Sequence, residues 1–164
     1  MHLDDAQSPS LVSIEDLRQA ICQAAADQRK ALASWYPQAD RNAPAERNIS
    51  MQFGFALRKL LPGISLFAEA TIDGNSNARL DLVGYDGPTS TLIAVESKRH
   101  LTSASALGIC RDRDRVDHFA AEFGRPSGPT ASNKWGVILT STVSSRRADW
   151  WREQQTEAPR RAPN

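Results

Sequence analysis

Asp81 and the tripeptide Glu96-Ser97-Lys98, fifteen positions on (96 − 81), place two carboxylates and an ammonium within two apolar runs. The runs cover residues 78–85 and 91–98 and read as strands. Charged groups inside such runs are costly to bury unless they are paired or bound to something. Residues two apart on a strand share a face, so Glu96 and Lys98 project together, and pairing with the preceding strand sets Asp81 opposite the Glu96 region. Carboxylate oxygens suit hard Mg²⁺ or Mn²⁺, with the Ser97 carbonyl as a further oxygen donor. A metal so held polarises a phosphoryl oxygen and acidifies a bound water. Lys98 can then orient that water or stabilise charge developing on a phosphate. The plainer alternative is a cross-strand ion pair at the end of a sheet.

The elements that must position these groups follow from periodicity. Ser13-Ile14-Glu15-Asp16 has the pattern of a capping box with Asp in the usual Glu or Gln place. Ile14, Leu17, Ile21, Ala24, Ala25, Leu32 and Trp35 continue it as an amphipathic helix to about residue 35. A polar connector over 37–44 leads to a second helix with the stripe Ile49, Phe53, Leu57 and Leu60, stopped by Pro62-Gly63. Strands over 65–72, 78–85 and 91–98, separated by Asp-Gly turns, read as an antiparallel meander. A helix over 104–123 and a fourth strand over 135–140, placed centrally, complete the core; a last helix is expected over 145–155. The fold class is α/β, a mixed central sheet flanked by helices. A single domain is expected over 13–157, with flexible ends at 1–12 and 158–164.

With the motif and the element order together, the chain resembles the PD-(D/E)xK nuclease superfamily over about residues 44–140. The resemblance implies a restriction endonuclease-like αβββαβ core carrying an extra N-terminal helix. Asp81 matches the motif aspartate, and Glu96-Ser97-Lys98 matches the E-x-K. Residues 45–50 and 60–63 also look like the first core helix of some members, in which a helical glutamate completes the metal site; Glu46 is the residue here. Two positions depart from the pattern: Leu80 stands where a proline is usual, and Ser97 where an apolar residue is usual. Neither removes a ligand. The resemblance implies an Mg²⁺-dependent endodeoxyribonuclease acting on DNA, with Asp81, Glu96 and Lys98 catalytic and Asp81, Glu96, Ser97 and Glu46 at the metal. Homodimers are common among such enzymes.

Other residues carry weaker signals. Glu46 is equally a first-turn glutamate favoured by the helix dipole. Glu69 lies mid-strand near the site, as a supporting acid or a solvent-facing one. Arg99 and His100 follow the lysine directly and could contact phosphate, as could Arg111 and Arg115. The run Arg111-Asp112-Arg113-Asp114-Arg115 otherwise reads as a solvated helix face. Arg146, Arg147, Arg160 and Arg161 are similar, and Trp150-Trp151 is expected to pack the last helix on the core. The absence of a G-x-x-x-x-G-K-[ST] sequence argues against a phosphotransferase of the P-loop kind.

Composition limits the classes. The chain has 164 residues, 40% hydrophobic and 24% charged, with a net charge of +1. That excludes a strongly basic nucleic-acid-binding protein, so any such surface must come from local clustering. This keeps open a different class, a binding or assembly module with a nuclease-like fold and a protein partner. Cys22 and Cys110 lie in no C-x-x-C, which suits reduced thiols. No apolar stretch approaches the roughly 20 residues of a membrane span. Met1-His2-Leu3-Asp4-Asp5 lacks the basic and apolar regions of a signal peptide, so a cytoplasmic location is expected.

Overall fold

The Ser13 hydroxyl and Asp16 carboxylate form the reciprocal cap that their spacing requires. The Asp16 N–H donates to Ser13 Oγ (3.2 Å) and the Ser13 N–H to Asp16 Oδ2 (2.8 Å). Hydrogen bonds from the Ser13 side chain and backbone hold the Asp16 carboxyl below its ordinary value. This cap opens helix α1, Ile14–Ser34, in a computed structural model that describes residues 11–34, 46–71, 79–99, 103–122 and 130–141. Among them, no helix is long and apolar enough to cross a membrane. The helix expected over 145–155, with its tryptophans and arginines, lies outside the described residues.

Helix α2, Glu46–Leu60, has Glu46 in its first turn and Arg58 and Lys59 in its last, as the helix dipole favours. Its buried stripe is Ile49, Phe53, Ala56 and Leu57, and it packs against α1 through Leu17, Ala20 and Ala24. Beyond it come strands β1 (Ile64–Thr71), β2 (Arg79–Asp86) and β3 (Thr91–Arg99), then helix α3 (Ser103–Glu122) and strand β4 (Asn133–Ser141). The sheet order is β1-β2-β3-β4; the first three strands are antiparallel and β4 runs parallel to β3. The protein is thus α/β, with a mixed four-stranded sheet and three helices among the described residues. At the β2–β3 turn, buried Asp86 accepts hydrogen bonds from the Thr89 hydroxyl (2.6 Å) and N–H (3.2 Å), which satisfies its carboxylate.

Alternation along β3 separates two cores. Ile93 and Val95 face α1 and α2, whereas Leu92 and Ala94 face α3 through Val116 and Phe119. β3 is an interior strand, buried from Thr91 through Ser97. The central position expected for the fourth strand is corrected: β4 stands at the edge of the described sheet. Its apolar run misleads because Val137 and Leu139 are buried in the core shared with α2, while α3 packs on the other side. Ahead of α1, Val12 is buried and its carbonyl accepts hydrogen bonds from Asn133 Nδ2 (3.0 Å) and Trp135 Nε1 (3.2 Å).

Close approach of α3 to β4 depends on Gly136, where an added Cβ would stand 2.6 Å from Val116 Cγ1. Valine is stiff at χ1 and cannot swing aside. Gly136→Ala is therefore expected to destabilise the protein by about 1–3 kcal/mol, read from urea unfolding. An unchanged midpoint would contradict this packing.

Candidate active site

The site grows from a place where two strands part. Ladder pairing of β2 with β3 ends at Leu82↔Val95, so Asp81 and Glu96 are the first residues beyond it. Amide groups two apart along a strand point to the same edge. The Ser97 N–H donates to Asp81 Oδ2 (2.7 Å) and the Arg99 N–H to Glu46 Oε1 (3.0 Å). Two carboxylates, one from β2 and one from the first turn of α2, thus cap the edge that β2 leaves. Asp81, Glu96, Ser97, Lys98 and Glu46 are all brought to this end of β3.

The strands distort here. Leu80 and Leu82 are two apart yet lie in opposite cores, so alternation fails at Asp81. Across the ladder Glu69 takes a left-handed backbone (φ 52°) and is unpaired between Ala68↔Leu82 and Ala70↔Leu80. A non-glycine residue in that region costs on the order of 1–2 kcal/mol. Ion pairs to Arg47 and to Arg79 (3.3 Å) hold the Glu69 side chain. Glu69 and Asp81 line one cavity together. Glu69 is therefore a fixed neighbour of Asp81, not a freely solvated acid.

On the other face, Glu96 and Lys98 meet α3. Lys98 Nζ lies 3.1 Å from Asp112 Oδ2, Arg115 Nη2 lies 3.1 Å from Glu96 Oε1, and Arg115 also contacts Asp112. Lys98, Asp112, Arg115 and Glu96 form an unbroken chain of opposite charges. Asp112 was missed in the sequence and is only 3% exposed, which corrects the reading of 111–115 as a solvated face. The signal was present in the stripe Ile109, Asp112, Val116 and Phe119, spaced i, i+3, i+7 and i+10. Arg111, Arg113 and Asp114 are exposed, as a solvated face requires, whereas Arg115 is held by two carboxylates. Arg99 is half-buried, and His100 lies outside the described residues.

Glu96 is electrostatically unusual. Burial, then the neighbouring Asp81 carboxylate, push its carboxyl up to about 7, against the pull of Arg115 and Lys98. Its Oε1 has no aligned hydrogen-bond donor, nor has Asp112 Oδ2, so both ion pairs act at close range without hydrogen-bond geometry. The buried Ser97 hydroxyl, filling the place where an apolar residue was expected, is also without a partner. Among the described residues no three or more His, Cys, Asp or Glu gather into a metal cage. Mg²⁺ does not need one: it keeps several waters and is held by one or two carboxylates plus phosphate oxygens. Asp81 and the under-satisfied Glu96 fit that donor set. Comparison with protein-family models, curated proteins and solved structures gives no match to the chain.

Proposed function

We propose that the protein is a metal-dependent nuclease that hydrolyses phosphodiester bonds, in DNA, on a restriction endonuclease-like core of the PD-(D/E)xK type. One observation carries the reading: Glu96 is buried, under-satisfied and pushed up to about 7 beside a second carboxylate at a strand divergence. Such surplus negative charge is what a divalent cation relieves. The element order α2, β1, β2, β3, α3, β4, with α1 preceding it, supports the fold assignment. Asp81, Glu96 and the Ser97 carbonyl would hold Mg²⁺ or Mn²⁺, with Glu46 beside them. The bound metal would polarise the phosphoryl oxygen and acidify the attacking water. Lys98 supplies an ammonium on the same strand face as Glu96, where it orients the water or stabilises charge on the phosphate. Asp112 holds that ammonium in place, and Arg115 offsets part of the repulsion among the three acids.

The test is cleavage of plasmid and oligonucleotide DNA with Mg²⁺ or Mn²⁺ against a chelator control. Lys98→Ala is expected to lower the rate by about 10²–10³-fold with the fold retained by circular dichroism, although the urea midpoint falls because buried Asp112 loses one of its two cations. Intact DNA with every substrate and metal would overturn the reading. The engagement of both Glu96 and Lys98 by α3 favours a second reading, a non-catalytic nucleic-acid-binding or assembly module. Calorimetric titration with Mn²⁺ separates the two, because the module has no use for the metal.

A further inference from the structure

The outward face of α2 carries Arg47, Met51, Phe55 and Arg58, spaced i, i+4, i+8 and i+11, so all four form one stripe. The stripe is one wall of a cavity of about 450 Å³; β1 supplies the opposite wall through Leu66 and Ala68, and Asp81 also lines it. Met51 and Phe55 are 46% and 53% exposed, an apolar middle between two cationic ends. Arg47 is held by Glu69, whereas Arg58 has no acidic partner among the described residues. Arg47 and Arg79 together neutralise Glu69, so Asp81 is the acid of this wall that has no cation beside it among the described residues.

We propose that this groove binds an unpaired nucleotide of single-stranded DNA, with its base against Phe55 and Met51 and its flanking phosphates at Arg58 and Arg47. A base offers an aromatic face for stacking and its strand offers phosphates on both sides, matching the order cation, apolar pair, cation. Duplex DNA keeps its bases stacked inside and presents phosphates, which gives Met51 and Phe55 nothing to meet. With a net charge of only +1, the chain has no strong overall field to hold a duplex, so stacking and two local cations must carry the affinity. The shared Asp81 makes the groove an approach to the candidate centre, selecting an unpaired strand over a duplex. Only this last step rests on the nuclease reading; the binding does not.

The test is fluorescence anisotropy of a labelled DNA oligonucleotide, single-stranded or annealed to its complement, in chelator so that no cleavage occurs. The single strand is expected to bind about tenfold tighter than the duplex or better, and Phe55→Ala to weaken it about five- to hundredfold. Arg58→Ala is expected to reduce the salt slope by about 0.7. Both side chains are exposed, and a urea midpoint verifies that the variants fold. Equal affinity for the two forms, indifference to Phe55→Ala, or no binding of either overturns the proposal. So does loss of self-association on Phe55→Ala in sedimentation with oligonucleotide affinity unchanged, which would assign the stripe to a second copy of the chain. Binding as described without cleavage keeps the groove and removes the nuclease reading; cleavage without this binding pattern does the reverse.

Discussion

Glu96→Gln is expected to make the protein more stable at pH 8 and, under the proposed nuclease function, to abolish DNA cleavage. In the folded chain the Glu96 carboxyl sits at about 7, against an ordinary value of 4.5. The folded state therefore binds this proton more tightly than the unfolded state does. Stability falls as pH rises from about 4.5 to about 7, and the loss is complete above that range. A displacement of that size corresponds to about 3 kcal/mol at most. Water reaching the 38% exposed Arg115 screens part of the interaction, so a gain of about 2 kcal/mol is expected. Glutamine preserves the shape and removes the charge, and Arg115 keeps Asp112 as its partner. Urea unfolding of both proteins at pH 8 and pH 4.5 reads the effect, with the advantage present at pH 8 and gone at pH 4.5. A loss of stability at pH 8 would mean that the Arg115 attraction dominates and the carboxylate is there to build the fold.

Asp112→Ala is expected to act in the opposite direction, although Asp112 belongs to the same chain of charges. Asp112 sits between two cations, Lys98 and Arg115, with a side chain 4% exposed. Removing it leaves both cations facing a small void. Breaking a buried pair costs about 3–5 kcal/mol. Lys98 and Arg115 remain 30% and 38% exposed and can turn towards water, so about 2 kcal/mol is expected. The measurement is the urea midpoint at neutral pH. An unchanged midpoint would show that α3 docks without this acid. In the cleavage assay, loss of the Lys98 anchor is expected to lower kcat more than it raises KM.

These opposite signs bear on what a sequence can disclose. Asp81, Glu96 and Lys98 were legible because a charge within an apolar run is anomalous wherever the run goes. The meander was legible because Asp-Gly pairs punctuate its sequence, and strand ends came within a residue or two of those observed. Asp112 was not found because alternating sign over 111–115 suggests a solvated face, whereas the helix reads the chain every 3.6 residues and turns Asp112 inward with Val116 and Phe119. The edge position of β4 was hidden for a related reason: residue burial reports covering on both faces, not the number of neighbouring strands. Nothing in Phe67-Ala68-Glu69-Ala70 announces the left-handed backbone at Glu69, since no glycine or asparagine marks it. The stripe on α2 has clean helical spacing, but the stronger apolar stripe Ile49, Phe53 and Leu57 on the inner face obscures it.

The parallel pairing of β3 with β4 also has a consequence during synthesis. Ser141 follows Arg99 by 42 positions (141 − 99), so at about 5–20 residues per second a ribosome needs roughly 2–8 s to deliver β4 after β3. Throughout that interval the most apolar strand of the protein presents a bare edge to any other nascent chain. Leu92-Ile93-Ala94-Val95 is the kind of short segment that nucleates aggregates. Glu96, Lys98 and Arg99 follow it immediately and act as gatekeepers at its end. The charges that make the folded centre thus also guard the growing chain, and neutralising several at once is expected to lower the recovery of soluble protein.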